Sequence, residues 1–211
     1  MVTDAARPAP DGILRRDDPR VRRTRDALEA ALATLLERHP LDTISVAELC
    51  REAGVHRTTF YAHAGGVHAF ALATFSRQLD AASTVDVELS AESVEGVASR
   101  YAASLVDLLE LVVAERAGYR ALFTSTSRGV FRLALDERLR HRARLALEVW
   151  HELGVTGAPA SSADREEAAA FIAGGLVGAL EAWALGDETE TDVASERIGA
   201  LMPRWWPAST L

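Results

Sequence analysis

Apolar residues recur along this chain with the three-and-four spacing of helices, and no stretch alternates as a half-buried strand would. Leu28, Leu32 and Leu35, with Ala27, Ala31 and Leu36, predict a first helix running to about Arg38. Asp18 can cap it, Pro19 suits its first position, and His39-Pro40 ends it. Val46, Leu49, Cys50 and Ala53 then share one face of a short helix, with Ser45 and Glu48 placed as a capping box. Gly54 can take the left-handed conformation that ends such a helix. Val55 is a small apolar plug, His56 holds the next capping position, and Arg57, Thr58 and Thr59 open a second short helix. Phe60 points to the core; Tyr61 and His63 face outward.

After Ala64-Gly65-Gly66 the helical pattern resumes over 67–82, then over 90–114, 117–123, 130–153, 164–185 and 192–206. A polar loop is expected at 124–129, and Gly154, Gly157 and Pro159 break the chain between two long helices. The last helix would carry Trp205 and Trp206 near its end. The fold class is all-α, with no internal repeat.

Composition alters this picture little. Of 211 residues, 48% are hydrophobic and 26% charged, as in an ordinary globular protein with a sizeable core. No eighteen successive residues are apolar, and the N-terminus lacks the apolar segment of a signal peptide, so no membrane partner and a cytoplasmic location are expected. The single cysteine, Cys50, lies on an apolar helix face and reads as a packed thiol. The six histidines lack metal-ligand spacing, and no phosphate loop, dinucleotide fingerprint or nucleophile elbow occurs. The residues therefore suggest no enzyme, no metal and no cofactor.

Charge changes the picture more. The net charge is −8, yet residues 1–70 hold ten arginines and ten acids, so the deficit lies wholly in the remainder. Six arginines fall between Arg15 and Arg25 against two acids, Asp17 and Asp18. A helix-turn-helix with a basic arm beside it is an arrangement that lays a helix in the major groove of double-stranded DNA.

The run SVAELCREAGVHRTTFYAH, Ser45 to His63, closely resembles the DNA-binding domain of the TetR family of bacterial transcriptional regulators. The matching residues are Ala53, Gly54, Val55, Thr59, Phe60, Tyr61 and His63, and the likeness in motif covers residues 20–75. Three positions depart from the family pattern. His56 stands where a Ser or Thr cap is usual, Ala64 replaces an aromatic, and Val67 replaces a phosphate-touching lysine, with His68 beside it as a weaker substitute.

Rich in Pro, Ala, Gly and charge, residues 1–18 read as a disordered arm. The resemblance implies a helix-turn-helix DNA-binding domain at 19–66 and a helical effector-binding and dimerisation domain at 67–211. Arg57, Thr58 and His56 would reach bases, with Thr59 on the same helix. Arg20, Arg22, Arg23, Thr43, Ser45, Tyr61, His63 and His68 would hold phosphates. An effector pocket is expected among the middle helices, with Tyr101, Arg116, Phe123, Phe131 and Trp150 as wall residues. The glycine-rich stretch FIAGGLVGALEAW, through Phe171, Gly174, Gly175, Gly178, Glu181 and Ala182, is expected to pair with a second copy in a homodimer. The chain so read is a ligand-responsive regulator, a repressor released from a palindromic operator by a small molecule. The competing reading is a small-molecule-binding or interaction module whose helix-turn-helix no longer reads DNA.

Overall fold

Leu28, Ala31, Leu32, Leu35 and Leu36 all turn inward from one face of α1 (Pro19–Leu36), the first element of a computed structural model that describes residues 19–82 and 93–207. The expected arm at 1–18 lies outside the described residues. A single 3₁₀ turn at Leu41–Thr43 leads to α2 (Val46–Ala53) and α3 (Arg57–Tyr61). Then come α4 (Val67–Ala82), α5 (Val94–Ala114), α6 (Arg116–Thr124), α7 (Arg128–Glu152), α8 (Ser162–Leu185) and α9 (Thr191–Gly199). Among the described residues there is no strand.

Local chemistry sets the helix ends. Ser45, Ser93 and Ser161 each accept a backbone N–H from the first turn of α2, α5 and α8. The Ser93 cap starts α5 at Val94, later than the hydrophobic spacing alone suggested. The last helix is shorter than expected. It stops at Gly199 because Pro203 disfavours helical geometry at Met202 and has no N–H of its own to donate. Trp205 and Trp206 therefore lie in a turn closed by Trp206 N–H to the Pro203 carbonyl at 2.8 Å.

Two apolar cores result. One joins α1, α2, α3 and α4 to α6 and to parts of α5, α7, α8 and α9, around Phe60, Phe75, Tyr119, Phe131 and Trp183. The other joins the start of α5, the end of α7 and the start of α8 around Trp150, with Trp205 and Trp206 packed against it. Helices α7 and α8 make the most extensive pairing in the chain. By length and composition α8 is apolar enough to cross a membrane, but close to half of it is buried inside the chain. Ala169, Ile172, Ala173, Val177, Leu180, Trp183 and Ala184 form that buried side.

Candidate nucleic-acid interface and effector cavity

The helix-turn-helix is held by contacts readable residue by residue. Ser45 Oγ accepts the Glu48 N–H at 3.1 Å. Gly54 takes φ 65° and ψ 29°, and Val55 N–H closes the turn on the Cys50 carbonyl at 2.9 Å. Phe60 is fully buried against Phe70, with ring centroids 5.9 Å apart, and so anchors α3. His56, Arg57, Thr58, Thr59 and Tyr61 are all exposed around it. His56 occupies the cap position with extended backbone but makes no side-chain cap, as expected from its lack of a short hydroxyl.

Behind that face, Arg20, Arg22 and Arg23 are exposed on the first turns of α1, and Arg23 Nε donates to the Pro19 carbonyl at 3.2 Å. Thr43 Oγ1 donates to the Pro40 carbonyl at 2.8 Å and is exposed, as is Ser45. His63 is half-buried; burial, and the charge of Arg25, push its pKa below the ordinary histidine value. Cys50 is buried, and burial pushes its thiol pKa up, which makes it an inert packing group.

His68 departs from its expected role. Its Nδ1 lies 2.7 Å from Ser127 Oγ and its Nε2 3.3 Å from Asp42 Oδ1, so both ring nitrogens are engaged inside the protein rather than offered to a phosphate. Asp42 also accepts the Thr126 N–H at 3.2 Å and its hydroxyl at 2.9 Å. These contacts tie the 3₁₀ turn and α4 to the loop between α6 and α7.

A cavity of about 570 Å³ opens between α5, α7, α8, α9 and the segment after α9. Of the five residues named for a pocket wall, Tyr101 lines this cavity. Arg116, Phe123, Phe131 and Trp150 do not. Arg116 donates to the carbonyls of Trp183, Gly186 and Glu188, capping the end of α8. Phe123 and Phe131 meet edge to face in the core, with ring centroids 4.9 Å apart. Trp150 is fully buried behind the cavity, against Tyr101 at 5.8 Å and Trp206 at 5.6 Å. Sequence reasoning missed Arg142 and Trp206 as wall residues. A signal for Arg142 existed: it stands three residues after Leu139 and four before Ala146, both on the buried side of α7.

On α8, Phe171 is 71% exposed and Ala182, about three turns further on, is exposed on the same side. A Cβ added at Gly174, Gly175 or Gly178 would meet nothing within 4 Å, so these glycines serve no close packing within the chain. Glu181 differs from expectation: it is buried and ion-paired to Arg128 at 2.9 Å and to Arg132, so its carboxylate is used within the chain.

No protein-family model and no curated protein matches the chain. Solved structures do. A SmeT–triclosan complex superposes with a TM-score of 0.60 at 15% identity, over 89% of this chain and 96% of that one. The dihydroxyacetone kinase operon activator DhaS gives 0.59 at 12%, over 84% and 93%. A TetR-like transcriptional regulator from Rhodococcus sp. RHA1 gives 0.52 at 19%, over 85% and 93%. The chain has the all-α fold of TetR-like regulators.

Proposed function

Starting from a chain with the TetR-like fold, we propose that it is a ligand-responsive DNA-binding transcriptional regulator. One observation carries this reading. A short helix and its N-cap residue expose His56, Arg57, Thr58, Thr59 and Tyr61 together, while Phe60 is buried and anchors the helix behind a capped, glycine-terminated α2. These five exposed polar groups suit base and phosphate contact in a major groove. In this reading Arg57, Thr58 and His56 reach base edges. Tyr61, His63, Thr43, Ser45 and the arginines of α1 meet phosphates.

The regulator acts as a homodimer in the cytoplasm, as a repressor that a small molecule releases from a palindromic operator. The dimer is supported by α8. A helix apolar on all sides is one buried on all sides, yet only one face of α8 is covered within the chain. The cavity beside Tyr101 supports the effector. That SmeT is seen in a complex with triclosan accords with it.

Gel shifts with the DNA flanking its own coding sequence test the reading. Arg57→Ala and Thr58→Ala should alter sequence preference, each by about 1–3 kcal/mol at the contacted base. Tyr61→Phe should weaken all sequences alike. Absence of any shift, even at low salt, favours instead a binding module that does not read DNA.

A further inference from the structure

Two arginines line the cavity: Arg204 from an exposed position, and the more buried Arg142, which has no carboxylate in ion-pair contact among the described residues. The cavity walls are mostly apolar, through Leu105, Leu108, Leu139, Ile172, Leu176 and Trp206. Arg142 enters this lining from α7. Its guanidinium donates to Ser104 Oγ and lies 5.5 Å from the centroid of the Tyr101 ring. No carboxylate among the described residues lies within ion-pair distance of it. Asp107, exposed on α5, acts on it only at longer range, and Glu196 lines the α9 side from an exposed position.

The chemistry follows from the donor count. A guanidinium offers five N–H donors in a planar fork and stays protonated in proteins. Burial disfavours its charge, which moves its pKa down from the ordinary arginine value. Serine and an aromatic face supply partners without charge. A charge placed in an apolar chamber without a counter-ion is costly, and an anionic ligand removes that cost. The planar fork suits a carboxylate, which it can meet with two parallel hydrogen bonds.

We propose that this cavity binds an organic monocarboxylate, its head group on Arg142 and its apolar body against Leu139, Ile172, Leu176 and Trp206. This rests on the reading of the cavity as the effector site. It goes beyond it in naming the ligand's chemical class and the residue that selects it.

Paired probes test the assignment. Dodecanoate and dodecanol, and naphthoate and naphthalenemethanol, differ within each pair in the charged head. Trp206 in the wall and Trp150 behind it provide a fluorescence signal. The full chain should bind at least one acid about tenfold or more tighter than its alcohol, the scale of one charged hydrogen-bonded contact. Arg142→Met, similar in length but uncharged, should bring that acid to the affinity of its alcohol. Alcohols that bind as well as the acids, or acids that do not bind, overturn the proposal. So does a preference that survives in Arg142→Met. The comparison in the unsubstituted protein needs no variant, so it decides even if Arg142→Met does not fold. A gel shift run alongside separates the two readings. Acid preference without a DNA shift upholds the cavity assignment against the regulator reading. A DNA shift without acid preference does the reverse.

Discussion

His63 shows how one side chain can be prepared for a phosphate. It is half-buried beside Arg25, and both burial and that neighbouring charge disfavour the imidazolium in the free protein. The folded pKa therefore lies below the unfolded one, and the folded state holds fewer protons. Stability associated with this group is present above the ordinary histidine value and is lost as pH falls through the folded pKa. A phosphate beside the ring would favour the charged form and raise its pKa again. DNA binding would then take up a proton, and affinity should rise as the pH is lowered from about 7.5 to 5.5, a window spanning the ordinary histidine value. His63→Gln should flatten that part of the pH dependence, measured by fluorescence anisotropy with labelled DNA at constant salt. An unchanged profile would place His63 away from the phosphates.

Among elements, α4 links the candidate DNA-reading helices to the body of the protein. Its Phe75 ring occupies the space that a side chain at position 118 would need, so α6 can approach only because Gly118 has none. Tyr119, next along α6, donates to the Phe75 carbonyl at 3.3 Å, and burial pushes its phenol pKa up. Gly118→Ala should overpack this crossing and lower stability by ~1–3 kcal/mol in denaturant titrations. The second link is Asp42, which holds Thr126 and His68 across the same junction. Asp42→Ala removes these contacts, which are partly exposed, so the loss of stability should be only about 1 kcal/mol. Its larger effect should be on coupling. If effector binding is relayed through this junction, the variant should bind DNA and effector separately while each changes the affinity for the other less. Titrating each ligand in the presence and absence of the other measures this.

For the whole molecule, the outer face of α8 carries the proposed dimer. Phe171 is 71% exposed and Leu185 43%, with Gly174, Gly175 and Gly178 open between them. A Cβ added at 178 would meet nothing within 4 Å in one chain. Gly178→Leu should therefore leave helicity and monomer packing intact, yet overpack a helix–helix interface by ~1–3 kcal/mol. Light scattering should show a weakened dimer, and DNA binding should fall with it because two half-sites require two linked copies. A substituted chain that unfolds would mean the glycine is needed within the chain. A chain without substitutions that is monomeric at all working concentrations removes the homodimer.

The parts of this protein legible from sequence are those governed by short-range chemistry. A serine three residues before a free N–H, a glycine at the only left-handed position of the turn, and an apolar face at helical spacing predict α2 and α3 whatever surrounds them. The cavity depends on how separate helices are set against one another, and hydrophobic pattern does not encode that. Tyr101, Phe123, Phe131 and Trp150 are equally apolar in the sequence, yet only Tyr101 reaches the cavity wall. Arg116, expected in the pocket wall, lies outside it because the tertiary fold brings the end of α8 to it and unsatisfied carbonyls take its donors. Arg142 met no such acceptor chain, only Ser104 and a ring. Which of these two arginines lines the cavity is thus decided by how the helices pack, since a guanidinium binds whatever oxygen the fold brings nearest.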